Sequence, residues 1–272
     1  MIFLLMSFFV RDDVKIYYEQ KNIIDHDTIV FIHAGIADSR MWDNQFDFFS
    51  RKYGVIRYDM RGFGKSSYSQ NEFIHANDLK ELLDELKVLK VHLVACSFGC
   101  QVAFDFALEY PIRVRSMTLV NGKPFGFKNV SNDPNPLRKE ANEAFNNKDF
   151  KKSAEIESKI WFIGRKRDIE DVSPQLFQKV VDMDEIALEN ESIIQPNEKK
   201  LHPDIMEKLS MIQVPMSYII GLLDEPNEVL ACQDVAKQLK AEVFTIDASA
   251  HLPNMEKPHE FNGILSKFLE KI

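Results

Sequence analysis

The chain is poor in cysteine: Cys96, Cys100 and Cys232 are the three in 272 residues. An odd, sparse set without metal-type spacing excludes a disulfide framework and leads us to expect three reduced thiols in a cytoplasmic protein. Positive charge is also in deficit, with 34 lysines and arginines against 42 acidic residues and a formal net charge of -8. No polybasic run occurs, so neither nucleic acid nor an anionic membrane surface is an expected partner, and small, uncharged or apolar ligands fit better. Long apolar runs are missing too. The N-terminal stretch Met1 to Val10 is apolar but too short to span a bilayer, and it has neither a basic leader nor a small-residue cleavage site before Arg11. Met6 is a second candidate start. Gly62-Phe63-Gly64-Lys65-Ser66 lacks the four-residue interval of a phosphate loop, which argues against ATP. No cofactor, metal, internal repeat or low-complexity tract is expected. Oligomeric state is left open.

What is present is a chain of 45% hydrophobic composition, long enough for one substantial core with an insertion. Ser7 to Val10 and Val14 to Tyr18, separated by Arg11-Asp12-Asp13, read as an antiparallel hairpin at one edge of a sheet. Thr28 to Ile32 is a continuous apolar, β-branched run, as in a strand buried on both faces. Met41 to Arg51 reads as a helix with Trp42, Phe46 and Phe49 on its core face, and Val55 to Asp59 as the next strand. In the loop that follows, Asp59 and Arg61 are expected to hold the backbone by hydrogen bonds. Ile74 to Leu89 is amphipathic through Leu79, Leu82, Leu83, Leu86 and Leu89. Strands at Val91 to Cys96, Val114 to Val120, Val214 to Gly221 and Ala241 to Ile246 alternate with helices at Gln101 to Leu108, Asn227 to Leu239 and Pro258 to Lys271. This alternation predicts an α/β, mostly parallel, doubly wound sheet, with a ligand site at the C-terminal strand ends. Between 123 and 209 the β-branched runs vanish and helical stretches take over at 135–146, 150–162 and 174–182. The expected organisation is a core of residues 1–122 and 210–272 with a helical cap at 123–209 above the strand ends.

The chemistry concentrates at Ala95-Cys96-Ser97-Phe98-Gly99. A serine on a sharp strand-to-helix turn needs small residues two positions to either side, and such a turn presents the hydroxyl and sets the next backbone N–H at a helix N-terminus. Serine needs a base, and histidine suits neutral pH. Of seven histidines, His251 lies in a loop after a late strand at the same sheet end as Ser97; His259 reads as helix surface and His92 as strand interior. A carboxylate must orient that base. Asp224, closing the strand that ends at Gly221, is the first choice, with Asp247 and Glu225 as competitors. The N–H groups of Phe98 and Gly35 are the candidate oxyanion donors, with Ile36 as fallback, while His33 is read as a backbone clamp. Ile36, Phe125, Phe127, Trp161, Phe162 and Leu252 are the candidate pocket residues.

The order Ser97, Asp224, His251 is that of the α/β-hydrolase arrangement. Phe31-Ile32-His33-Ala34-Gly35 resembles its oxyanion loop, Tyr58 to Ser66 the loop after the next strand, Ala95 to Gly99 the nucleophile elbow and Ala250 to Pro258 the histidine segment. The resemblance covers nearly the whole chain. It departs in two small-for-small exchanges, Ala95 and Ala34 standing where glycine is commoner. The resemblance implies an α/β-hydrolase fold and a Ser-His-Asp esterase or lactonase, closest in its oxyanion segment to enol-lactone hydrolases. Alternatives within the fold are a carbon-carbon bond hydrolase, an acyltransferase, or a ligand-sensing protein with slow or no turnover.

Overall fold

The run Thr28–Ile32 is buried at every position, and its residues divide between the two faces of a sheet: Val30 and Ile32 pack in one apolar cluster, Ile29 and Phe31 in the other. This alternation is why the run is uniformly apolar; a strand with a layer on each face has no polar side to show. The computed structural model describes residues 5–11, 13–24, 26–128, 135–193 and 197–272. Eight strands form one sheet: β1 (Leu5–Arg11), β2 (Val14–Lys21), β3 (Thr28–Ile32), β4 (Gly54–Tyr58), β5 (Val91–Cys96), β6 (Val114–Val120), β7 (Met216–Gly221) and β8 (Glu242–Ile246), in the order β1-β2-β4-β3-β5-β6-β7-β8. β1 and β2 pair antiparallel, as do β2 and β4; all remaining pairs are parallel. The expected edge hairpin is thus present, with Asp12 of its turn outside the described residues.

The helices are α1 (Asp43–Phe49), α2 (His75–Glu85), α3 (Phe98–Glu109), α4 (Leu137–Asn146), α5 (Phe150–Ser158), α6 (Pro174–Ile193), α7 (Ile205–Lys208), α8 (Pro226–Leu239), α9 (Pro253–Glu256) and α10 (Pro258–Leu269). Residues of α2, α3 and α8 pack in one of the two clusters and residues of α1 and α10 in the other. The expected helix at 41–51 divides into a 3-10 turn, Ser39–Trp42, and α1, because Asp38 caps the turn by accepting from the Arg40 N–H at 2.9 Å. α2 stops short of its predicted end. Lys87 turns to φ 56°, the left-handed region that halts a helix, and Leu89 is consequently 79% exposed although its spacing suits the apolar stripe.

Between β6 and β7 the described residues form no named strand; a single bridge joins Phe73 and Glu198. α4 and α5 pair through a small cluster of Ala141, Ala144, Ile156 and Ile160. A five-residue π-helical turn, Lys159–Ile163, follows α5. α6 runs eleven residues beyond its predicted end at Asp182. The charges at Asp182, Asp184 and Glu185 obscure the period, yet Met183, Asp184, Ala187 and Leu188 are all buried. Residues 129–134 and 194–196 of this segment lie outside the described part.

A tight constraint on the sheet lies where α3 meets β3. A Cβ at Gly99 would stand 2.6 Å from the His33 carbonyl oxygen and 2.8 Å from that of Ile32. Both are backbone atoms of a central strand and its exit, so neither yields. Gly99→Ala is expected to destabilise the protein by about 1–3 kcal/mol through overpacking. Gly263→Ala, at an exposed position of α10 with nothing within 4 Å of the added Cβ, is expected to stabilise by about 0.5–1 kcal/mol. Urea unfolding midpoints of the two variants should move in opposite directions, and a Gly99→Ala midpoint equal to wild type contradicts the packing argument.

Candidate active site

Ser97 sits between β5 and α3 with φ 51° and ψ -115°. A non-glycine residue in that region carries backbone strain on the order of 1–3 kcal/mol and persists when its surroundings hold it. Here the Ser97 N–H donates to the Val120 carbonyl and its own carbonyl accepts from Cys100, both at 2.9 Å. The side chain is half-buried and lines a cavity of about 430 Å³ that also takes in Gly35, Ile36, Phe98 and His251. That volume lies within the range of small-molecule sites.

His251 is buried, and its Nδ1 lies 2.6 Å from Oδ2 of Asp224, which is also buried. The other Asp224 oxygen accepts from the Glu225 N–H at 2.7 Å. Burial by itself would push the imidazole pKa down; the adjoining carboxylate outweighs it, so His251 is held above the ordinary histidine value. The competing carboxylates stand elsewhere. Glu225 is engaged by Arg165 at 3.0 Å and Asn135 at 2.9 Å, and Asp247 is exposed. His92 is buried in β5 against the Ser116 hydroxyl at 2.8 Å, and His259 is exposed.

The segment after β6 braces this loop. The His251 N–H donates to the Trp161 carbonyl at 3.2 Å, and the two rings lie 4.7 Å apart. The Ala250 N–H donates to Glu256 at 2.8 Å, and Glu256 pairs with Arg167 at 2.5 Å. Gly164, at φ 79°, lets the chain pass the end of β7 where a Cβ would stand 2.2 Å from the Leu223 oxygen. Asn121, which no sequence signal marked, ties the strand ends together: it donates to the Ala250 carbonyl at 2.7 Å and accepts from the Gly221 N–H at 2.9 Å.

At the end of β3, His33 donates through Nδ1 to the Ala34 carbonyl at 2.8 Å, while its Nε2 accepts from the Met60 N–H at 2.9 Å. Burial lowers its pKa and keeps it neutral, as this double bond requires. The following loop is pinned as its residues suggested: Asp59 accepts from the Ser39 and Lys65 N–H groups at 2.8 and 2.7 Å, and Arg61 grips Asp78 with two bonds of 2.8 and 2.9 Å. Phe98 opens α3, so its own N–H stands at the helix N-terminus without an intrahelical partner. The Gly35 N–H has no protein acceptor among the described residues.

Of the six residues expected to line the pocket, Ile36 and Trp161 do. Phe162 and Leu252 are fully buried in the core, Phe127 packs against the other core cluster, and Phe125 is 40% exposed beneath the Lys200 ammonium. The cavity is instead walled by residues the sequence reading missed, among them Phe63, Phe73, His75, Glu157 and Asp184. For Asp184 the signal was the 184, 187, 188, 191 face of α6, hidden by ending that helix at Asp182.

The three thiols offer no rival nucleophile. All are buried, and burial drives Cys100 up to about 12 and Cys96 and Cys232 well above the ordinary thiol value. A disulfide reagent at neutral pH should label none of them in the folded protein and all three after unfolding in guanidinium. Rapid stoichiometric labelling of the native state contradicts that burial.

A family model described as the alpha/beta hydrolase fold matches residues 27–156. The chain is 26% identical over 249 residues to 3-oxoadipate enol-lactonase 1 of Acinetobacter baylyi, with 90% of this chain and 89% of the relative covered. Among solved structures, the enol-lactonase of Burkholderia xenovorans superposes with a TM-score of 0.77 at 20% identity, over 97% of this chain and all of the other. A hydrolase of Pseudomonas aeruginosa superposes with the same score at 23% identity, over 97% and 98% of the two chains. With its eight-stranded, mostly parallel sheet and these structural matches along nearly its full length, the chain has the α/β-hydrolase fold.

Proposed function

We propose that this protein is a serine hydrolase that cleaves a small ester or lactone through Ser97, His251 and Asp224. The observation that carries the reading is the conjunction in one cavity of a serine at φ 51° and a buried histidine bonded at 2.6 Å to a buried carboxylate. With Nδ1 committed to Asp224, Nε2 is the ring nitrogen that takes the Ser97 proton as Oγ attacks the substrate carbonyl carbon. The carbonyl electron pair moves to its oxygen, where the Phe98 and Gly35 N–H groups stabilise the developing charge; such donors are each worth about 3–4 kcal/mol in the transition state. Collapse of the tetrahedral adduct breaks the bond to the leaving alkoxide, which receives the proton from His251. Water, deprotonated by the same nitrogen, then attacks the acyl-enzyme and returns Ser97. For a lactone the leaving group is the distal end of the same molecule. The named activities of relatives, an enol-lactonase foremost, support the ester or lactone class.

Residues 123–209 act as the cap in this reading, since Trp161 and one face of α6 line the cavity that holds Ser97. Trp161 has a second task there, because its carbonyl and ring together orient His251.

Ser97→Ala is expected to lower kcat for short p-nitrophenyl esters by a factor on the order of 10⁴ or more, and a fluorophosphonate should label wild type at Ser97 alone. Unchanged turnover in Ser97→Ala removes the assignment. Asp224→Asn should reduce kcat by about 10⁴ with the fold intact by circular dichroism. The pH profile carries a sign as well. His251 works as a base only when neutral, and Asp224 raises its pKa, so activity falls as pH drops through a value above the ordinary histidine range. In Asp224→Asn this acid limb should move to lower pH. A limb that stays in place transfers the orienting role to another carboxylate.

A further inference from the structure

The cavity above Ser97 has an aromatic wall and an acidic one. Phe63, Tyr68, Phe73, Phe98 and Trp161 contribute rings to its lining. The same lining includes Asp184, Ala187, Leu188 and Glu191 of α6, at the spacing of a single helix face, and Glu157, one turn before Trp161. Asp184 is only 2% exposed, and its Oδ2 has no hydrogen-bond partner. A second, independent orphan lies in the same cavity: Nδ1 of His75, a residue 5% exposed, is likewise without a partner. Buried polar atoms without partners are rare in native proteins, and each costs about 1–3 kcal/mol. In a substrate cavity an unpartnered carboxylate oxygen marks where a ligand's donor belongs.

The cations near this cavity are occupied. Arg61 is held by both oxygens of Asp78, and Lys200 is paired with Glu198. Arg138 stacks 4.8 Å from the Trp161 ring and lines, with Glu157, a separate cavity of about 140 Å³. Among the described residues no cation offsets Asp184; burial first, then the charges of Glu157 and Glu191, raise its pKa well above the usual carboxylate range. A positive group seated among these acids would favour their charged forms. Among the described residues no group of three or more acidic, histidine or cysteine side chains is placed to hold a metal ion, and rings facing carboxylates are the chemistry that binds organic cations.

We propose that the substrate carries an organic ammonium group, seated between the Asp184–Glu191 face of α6 and the aromatic wall while its acyl carbon lies at Ser97. The assignment rests on the serine-hydrolase reading for the placement of the acyl carbon, and on the cavity alone for the preference in charge. It departs from the expectation of a small, uncharged or apolar ligand: the protein's negative balance reaches into the pocket itself.

The test is a matched series of p-nitrophenyl esters whose acyl chains, two to six methylenes long, end in methyl, ammonium or carboxylate. At the best length the ammonium ester should exceed the carboxylate ester in kcat/KM by at least about tenfold, mostly through KM, as a desolvated cation–π and carboxylate contact implies. Asp184→Asn should shrink that ratio at least about fivefold, and Glu191→Gln, at an exposed position, should shrink it in a variant with little risk to folding. A carboxylate ester preferred or equal in wild type overturns the proposal, as does a ratio preserved in both variants. If no ester of any charge is hydrolysed, the hydrolase reading has failed and charge preference is decided by binding. Trp161 lines the cavity and Trp42 is fully buried, so n-alkylammonium ions should change the intrinsic fluorescence saturably and alkanoates of equal length should not. Equal responses to the two, or displacement of the amine by calcium, overturn the organic-cation assignment.

Discussion

Everything at the site hangs on the backbone at Ser97 being held at φ 51°. That conformation is unfavourable for a residue with a side chain, and it survives because the chain on either side is anchored more strongly than the strain. β5 is bonded on both edges to parallel strands, and α3 lies so close to β3 that only glycine fits at position 99. The same approach that demands Gly99 brings the α3 N-terminus beside the exit of β3, where Gly35 and Phe98 face one cavity. Strain, helix N-terminus and small-residue loop are therefore one geometric solution.

The second layer of order comes from the segment between β6 and β7. It does more than line the cavity. Trp161 contributes a carbonyl to the His251 N–H, Arg167 holds the Glu256 that holds the Ala250 N–H, and Arg165 occupies the Glu225 next to Asp224. The histidine loop is thus fixed from the sheet side by Asn121 and from the helical side by Trp161 and Arg167. Two of these contacts sit on or beside a π-helical turn, an irregularity that recurs at functional sites because it re-aims side chains. The walls of the cavity then mix rings with carboxylates, a composition suited to polar recognition more than to a purely apolar acyl chain.

Much of this was legible in the residues. Doubly buried strands announce themselves as unbroken apolar runs, and Thr28–Ile32 and Val91–Cys96 are buried throughout for that reason. The small positions around Ser97 follow from steric need, and a loop histidine after a late strand points to the same sheet end. His33 as a backbone clamp and Asp59 and Arg61 as loop fasteners were equally readable, because a short polar loop after a strand must satisfy its own backbone. Pocket aromatics were not readable. Phe125, Phe127, Trp161 and Phe162 look alike in one dimension, and only packing sends Phe162 into the core and Trp161 to the cavity.

By itself the sequence determined the alternation of strands and helices, the all-helical segment before β7 and the chain order of serine, aspartate and histidine, all of which rest on local periodicity and turn chemistry. Tertiary structure alone decided which carboxylate meets His251. Asp224, Glu225 and Asp247 are chemically equivalent acids near strand ends, and their roles diverge only because a cation and an amide claim Glu225, solvent claims Asp247, and Asp224 remains buried against the imidazole. It also decided the character of the cavity. Asp184 reads as a surface charge on a helix until the fold closes over it and leaves one of its oxygens with no partner. Burial is a property of the assembled chain, and burial is what turns an ordinary side chain into a site.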